Sequence, residues 1–258
     1  MMNLIYSELY KVMRRKSGKI VFLVLAFLAF FYNFYLREYV DYSSLASYYG
    51  VDINRTWEFW VQTLTTIGLF ITLFIVQLVH ANEPKVGTLK NTVAFGLDRK
   101  KVYLSRLITE LLLMLLAEVV LLPLLYVSNI IAFGMPLEIV NKIIWMNMFC
   151  LTFLWMACLS LAHFLAMVCN SNSLGIVIYF SYFLFIDKII GVVREYLIDG
   201  FLFDKLAEME VMSVLSQLGG FHTMINRDTM ILSVKSGLFY MAIFTVVGVW
   251  LYQKKELK

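Results

Sequence analysis

The sequence predicts an all-α integral membrane protein with six transmembrane helices. Hydrophobic residues make up 61% of the chain and charged residues 16%, against about 45–50% and about 25% in a soluble domain. The apolar residues form long runs that do not alternate with polar ones, which in lipid favours helices over strands. Six spans of about 20 residues would use about half of the chain. This composition argues against a soluble enzyme, a disordered protein or a disulfide-stabilised secreted domain.

The apolar runs give the positions of the spans. We place them at residues 20–36, 57–79, 102–127, 145–168, 174–198 and 230–252. No stretch of small residues suited to signal cleavage follows the first run, so we expect it to be retained as a span. Residues 170–173 are short and polar, and they predict a tight turn between the fourth and fifth spans.

The basic residues predict the orientation. Most Lys and Arg residues lie before the first span, in the loop between the second and third spans, and in the C-terminal tail. Because such residues are enriched in cytoplasmic loops, both termini and residues 80–101 are predicted to be cytoplasmic.

Two segments outside the spans are amphipathic. Residues 1–17 predict a helix lying in the membrane interface, with apolar side chains on one side and Glu8, Lys11 and Arg15 on the other. This helix is either a simple juxtamembrane anchor or an elbow that also touches a cytoplasmic partner. Residues 199–229 lie on the outer side, and either rest on the outer leaflet or dip back between the helices.

The loop at residues 80–101 carries the most specific pattern in the chain. Pro84 and Gly87 end the second helix, and Thr88 can cap a short helix that ends at Gly96. Asp98 can cap the third span. An ordinary basic loop would also satisfy the charge rule, but the order of these capping residues predicts a short helix across the cytoplasmic face.

Two acidic residues lie within the third span. Glu118 falls near its middle, where a charge costs at least about 2.5–3.5 kcal/mol, and Glu110 lies two turns earlier. Either these residues belong to a substrate path that attracts cationic cargo, or Glu118 is the structural partner of a residue such as His163 in the fourth span.

Motifs that would indicate a metal site or an enzyme are missing from the sequence. His80, His163 and His222 show no metal-ligand spacing, so we expect no metal site. There is no phosphate-binding loop for ATP and no nucleophile elbow, so no catalytic residue is predicted. Cys150 and Cys158 share a helix face about 12 Å apart, too far for a disulfide.

Two stretches together resemble a known family. They are the N-terminal helix with its basic end at residues 4–16, and the loop sequence Glu-Pro-Lys-Val-Gly-Thr-Leu-Lys at 83–90, followed by Gly-Leu-Asp-Arg-Lys-Lys-Val-Tyr-Leu-Ser-Arg at 96–106. With six spans, this pattern resembles the permease subunit of a type-2 ABC exporter. It is most similar to small bacterial permeases that export antimicrobial and amphipathic peptides or give immunity to them.

The resemblance implies a mechanism in which this chain has no ATPase site of its own. Two permease halves, either two copies or two related chains, would pair in the bacterial plasma membrane among its lipids, without nucleic acid. Each would rest on a cytoplasmic ATP-binding subunit that holds ATP and Mg. Residues 199–229 would match the external re-entrant region, and the elbow would carry Glu8, Lys11 and Arg15. The coupling surface would consist of Glu83, Gly87, Thr88, Asn91, Gly96, Arg99 and Lys100.

Two other functions remain open on the sequence. An intramembrane protease or acyltransferase could use Glu110, Glu118 and His163, although adjacent Glu-Glu or paired His motifs are missing. A scaffold subunit of a membrane complex would need no transport path.

Overall fold

The structure is a computed structural model that describes residues 1–39, 52–80, 97–133, 138–169, 171–196, 201–211, 213–215 and 227–255. Within these ranges the regular structure is helical, which agrees with the all-α prediction. The helices are α1 (Met2–Arg14), α2 (Lys16–Tyr39), α3 (Asp52–His80), α4 (Arg99–Phe133), α5 (Glu138–Val168), α6 (Asn172–Tyr196), α7 (Phe201–Glu208) and α8 (Arg227–Lys254).

Long helices lie at each predicted span position. Three helical stretches are long and apolar enough to cross a membrane: Arg99–Ala132, Trp145–Val168 and Arg227–Lys254. Ile67–His80 and Asn172–Ile186 are shorter apolar stretches. The chain is therefore a helical membrane protein, while the full six-span topology and its orientation stay predictions.

The junction between α1 and α2 differs from the predicted boundary. The first helix ends at Arg14 and the second begins at Lys16, so Arg15 alone separates them, with φ −69° and ψ 123°. An extended residue ends a helix without Gly or Pro. The predicted helix at 1–17 therefore runs three residues past the observed end of α1 at Arg14.

The middle of the bundle is α5. Leu151, Leu154 and Leu159 on this helix have no exposed surface, and α5 packs against α3 and most extensively against α8. A Cβ atom at Gly237 of α8 would overlap the backbone of Phe153 on α5. Small residues at such crossings let two helix backbones come close enough for tight packing.

The segment that follows α7 reaches the interior of the bundle. Glu210 is 1% exposed, and its Oε1 accepts a hydrogen bond from the Tyr182 hydroxyl at 2.9 Å, halfway along α6. The Ser236 hydroxyl of α8 donates to the carbonyl of Met209. These contacts lie deep along α6 and α8, although re-entry into a bilayer stays a prediction.

Candidate functional site

A large apolar cavity lies between α2, α3 and α4, with Trp155 of α5 and Phe180 of α6 completing its wall. Its volume is about 940 Å³, near the upper end of the range for small-molecule sites. Its polar lining residues are Thr72, Gln77 and Glu118, besides the indole of Trp155. The cavity therefore suits a bulky apolar group far better than a polar solute.

Two polar atoms in this wall have unmet hydrogen-bonding capacity. Glu118 Oε2 accepts a hydrogen bond from the Thr152 hydroxyl at 3.0 Å. Within the described part of the chain, Glu118 Oε1 and Trp155 Nε1 are buried without a hydrogen-bond partner. A buried polar atom without a partner costs about 1–3 kcal/mol. The wall thus holds one acceptor and one donor that a ligand could satisfy.

The partner of Glu118 differs from the predicted one. The sequence pointed to a residue such as His163, but the observed contact is with Thr152, about three turns away on the same helix. The sequence therefore predicted the correct helix for this partner but the wrong residue, because sequence alone does not fix how far one helix is shifted along its neighbour.

His163 pairs with the other acidic residue, Glu110. Glu110 Oε2 lies 2.9 Å from His163 Nδ1, and Glu110 Oε1 lies 3.0 Å from His80 Nε2. These distances fit hydrogen bonds in which each imidazole N–H donates to the carboxylate. The three side chains, from α3, α4 and α5, form what we call the His–Glu–His cluster, and none is more than 3% exposed.

An aromatic ring closes this cluster on one side. The Tyr103 ring meets His163 edge to face, with ring centroids 4.4 Å apart. A Cβ atom at Gly248 of α8 would overlap the Tyr103 hydroxyl, so the glycine leaves the space in which this ring sits. The cluster is thus held inside packed protein, away from the apolar cavity wall that carries Glu118.

The two carboxylates predicted to lie on a substrate path therefore have different surroundings. Glu118 lines the cavity, whereas both carboxylate oxygens of Glu110 are hydrogen-bonded within the His–Glu–His cluster. Of the two, only Glu118 lines the cavity, and a substrate path through either residue stays a prediction.

The basic segments meet at one end of the bundle, which we call the basic end. Here Arg15 donates to the carbonyl of Leu78, near the end of α3. Arg106 Nη2 of α4 lies 3.9 Å from Glu8 Oε1 of α1, and Lys11 donates to the same oxygen at 3.0 Å. All three predicted elbow residues thus contact a neighbouring side chain or helix end.

Helix ends at the basic end are tied by cations. Arg99 Nη1 donates to the carbonyls of Gln253 at 3.1 Å and Lys255 at 2.6 Å. Lys255 Nζ donates to the carbonyls of Met167 at 3.0 Å and Cys169 at 2.9 Å. The last carbonyls of a helix lack intrahelical donors and carry partial negative charge, so cations stabilise them. These bonds connect the start of α4 with the ends of α5 and α8.

Cys169 lies just past α5 and outside the predicted span. Burial raises the pKa of its thiol, and the nearby Lys255 ammonium opposes that rise because it stabilises the thiolate. By contrast, Cys150 and Cys158 are buried free cysteines inside α5.

The predicted coupling residues are only partly described. Glu83, Gly87, Thr88, Asn91 and Gly96 lie outside the described residues. Arg99 holds the ends of α8, and the backbone N–H of Lys100 donates to Asp98 Oδ1 at 3.0 Å, which agrees with the predicted cap of α4. A coupling role for this set stays a prediction.

Sequence reasoning missed His80, Thr152 and Trp155 as site residues. A signal for His80 was present, since α3 ends at His80 and His163 lies five residues before the end of α5. Both helices end at the basic end, so counting from their ends places the two histidines within about 8 Å of each other along the bundle. For Thr152 and Trp155 the sequence offers no comparable signal.

The described residues thus form apolar helices of membrane-spanning length around an apolar cavity. The model of a family described as ABC-2 family transporter protein matches residues 4–186, which is well over half of the chain. The chain belongs to this family and is a type-2 ABC permease. A comparison with curated proteins gave no match. Permeases of this family are transport subunits that generally work with a cytoplasmic ATP-binding subunit.

Proposed function

We propose that this chain is the membrane subunit of an ATP-driven exporter in the bacterial plasma membrane. It would move an amphipathic or antimicrobial peptide, or a similar amphiphile, out of the cytoplasm or the membrane, for export or immunity. ATP and Mg would be bound by a separate cytoplasmic subunit. A second permease half, either another copy or a related chain, would complete the pathway. Family membership over residues 4–186 carries the transport assignment.

The cavity supports the amphipathic nature of the cargo. Its apolar wall would take the hydrophobic part of the molecule, gaining about 25 cal/mol per Å² of apolar surface removed from water. The carboxylate of Glu118 would take a cationic or hydrogen-bonding group. Glu118 Oε1 is itself covered, so the side chain must rotate for the contact to form.

The basic end supports a route for coupling. α1 is joined to α3 and α4 there through Arg15 and Glu8. The chain between α3 and α4 would carry Glu83, Gly87, Thr88, Asn91 and Gly96 of the coupling surface, and Lys100 would act from the first turn of α4. Arg99 would act from the start of α4, where it holds the end of α8.

Copurification tests the partner. The tagged chain, expressed with its neighbouring genes and extracted gently, should carry an ATP-binding subunit at equal stoichiometry. Glu83→Arg should weaken that association or uncouple ATP hydrolysis while membrane insertion stays normal. Recovery of the chain alone, without nucleotide-dependent activity in any preparation, would refute the exporter proposal and favour a scaffold.

A charge-matched pair of amphiphiles tests the cargo. In the reconstituted complex, ATPase stimulation is measured with a cationic amphipathic peptide and with a neutral analogue of the same length. Glu118→Gln should raise the half-maximal concentration of the cationic peptide about tenfold or more, because a hydrogen bond to a charged group contributes about 1.5–3 kcal/mol. The neutral peptide should shift less than twofold.

Glu208→Gln is the matched control, since Glu208 is an exposed carboxylate on α7. This variant should leave both curves unchanged. If Glu118→Gln moved both peptides equally, or neither, the cavity carboxylate would have no part in cargo selection.

A further inference from the structure

We propose that the His–Glu–His cluster is a binding site for a divalent first-row transition metal ion, with Zn²⁺ or Co²⁺ as suitable probes. The proposal is independent of the transported cargo. It goes against our expectation from sequence, which considered only spacing along one stretch of chain. In the structure three separate helices supply the donor atoms.

The donor set is the first argument. Two imidazoles and one carboxylate, from His80, Glu110 and His163, place their ligand atoms within 4.8 Å of one another. Imidazole nitrogen favours ions such as Zn²⁺, Ni²⁺ and Co²⁺ over Mg²⁺ and Ca²⁺, which prefer oxygen ligands. The set leaves a further coordination position for water.

The spacing is the second argument. Each histidine nitrogen lies 2.9–3.0 Å from a different oxygen of Glu110. Two ligands at right angles, each about 2.1 Å from one ion, are about 3.0 Å apart. A carboxylate that binds an ion through both oxygens would place one nitrogen beside each oxygen, as observed. An ion could therefore enter after small side-chain shifts.

The surroundings are the third argument. All three side chains are almost fully buried, so their orientation is fixed by packing. The edge of Tyr103 borders His163, and Arg106, one turn before Glu110, has its Nη2 atom 3.9 Å from Glu8. His163 Nε2 is buried without a hydrogen-bond partner among the described residues. The one hydrogen bond of this ring, between Nδ1 and Glu110 Oε2, therefore leaves it only partly satisfied.

A bound ion would join α3, α4 and α5 at the last residue of α3, which is His80. Because the ligands come from three helices, the ion would bind the assembled bundle and not the separated helices. Metal binding should then raise the unfolding temperature of the protein as metal concentration increases.

Cobalt titration tests the site directly. The full chain is purified in detergent without a histidine tag, stripped with a chelator, and titrated with Co²⁺ while its visible absorption is recorded. We expect one Co²⁺ per chain, displaced by Zn²⁺, with an increase in unfolding temperature. His80→Gln and Glu110→Gln should each weaken binding at least tenfold. His222→Gln, which removes the histidine outside the cluster, should not.

A cysteine substitution gives a positive signature that does not depend on loss of binding. His80→Cys should add a near-ultraviolet charge-transfer band from a cobalt–thiolate bond. The wild-type protein, with Cys150, Cys158 and Cys169, and the His222→Cys control should lack this band.

Two results would overturn the proposal. One is binding of less than a tenth of an equivalent of Co²⁺ by the wild-type chain. The other is binding that neither His80→Gln nor Glu110→Gln weakens. In either case the His–Glu–His cluster is a hydrogen-bonded tie between helices and no metal site.

Discussion

The glycines of the helices allow one chemical change, Gly to Ala, to be compared at a tight and an open position. Gly237 lies where α8 crosses α5, and a Cβ atom there would come within 2.8 Å of the Phe153 Cβ and closer still to its carbonyl group. Gly175, in the first turn of α6, would place a Cβ 3.5 Å from the nearest atom, the Leu165 carbonyl oxygen. The second distance is ordinary contact.

These distances predict effects of opposite sign. Alanine is preferred over glycine inside a helix by about 0.5–1 kcal/mol, and Gly175→Ala should keep this gain. At Gly237 the added methyl meets backbone, which cannot rotate away, so the helices must separate. Overpacking of this kind costs about 1–3 kcal/mol. Because the preference for alanine applies at both helical positions, it cancels in the comparison, and Gly237→Ala should be less stable than Gly175→Ala by about 1–3 kcal/mol.

Thermal unfolding in detergent measures this difference. A dye that fluoresces on reaction with thiols reports unfolding, because Cys150 and Cys158 are buried in the native protein. For a chain of this size about 1 kcal/mol corresponds to about 2–4 °C, so the two variants should separate by several degrees. If Gly237→Ala unfolded at or above the temperature of Gly175→Ala, the close crossing of α5 and α8 would be wrong.

Two further predictions concern the basic end. Arg15→Ala should make α1 more susceptible to trypsin, because it removes a charged hydrogen bond to the Leu78 carbonyl worth about 1.5–3 kcal/mol. Arg14→Ala changes an exposed residue and should not have this effect. Equal cleavage of the two variants would contradict the role of Arg15. In the native protein Cys169 should react first with a maleimide, and faster as pH rises, because only the thiolate reacts and burial raises its pKa. Lys255→Met should move the pH midpoint of this labelling upward, whatever its effect on access to the thiol, because the ammonium no longer stabilises the thiolate. An unchanged midpoint would count against the influence of the ammonium.

The long apolar helices could be predicted from the sequence because the signal is local. A run such as 145–168 is apolar in almost every position, and backbone hydrogen bonding in lipid leaves few alternatives. The cap of α4 by Asp98 was predicted for the same reason, since a cap acts over three residues. The end of α1 was missed because no Gly or Pro marks it, and the contact of Arg15 with α3 is a tertiary one.

The site residues depend on how helices are aligned, which is not local. Glu118 was identified as unusual from its burial cost, yet its partner Thr152 depends on the height of α4 against α5. Likewise, His80 and Glu110 are 30 residues apart in sequence and 3.0 Å apart in space. Sequence therefore pointed to the polar residues that need an explanation, while helix packing decides which of them meet.

The paired cations Arg99 and Lys255 have a mechanical consequence. Because their hydrogen bonds join the start of α4 to the ends of α8 and α5, a displacement applied at one of these helix ends is shared by the others before any of those bonds breaks. The linked helix ends at the basic end would therefore move together as one rigid unit, and the helices would separate chiefly at their opposite ends. The tail that carries Lys255 is thus a brace of the bundle, and removing it should loosen three helices at once.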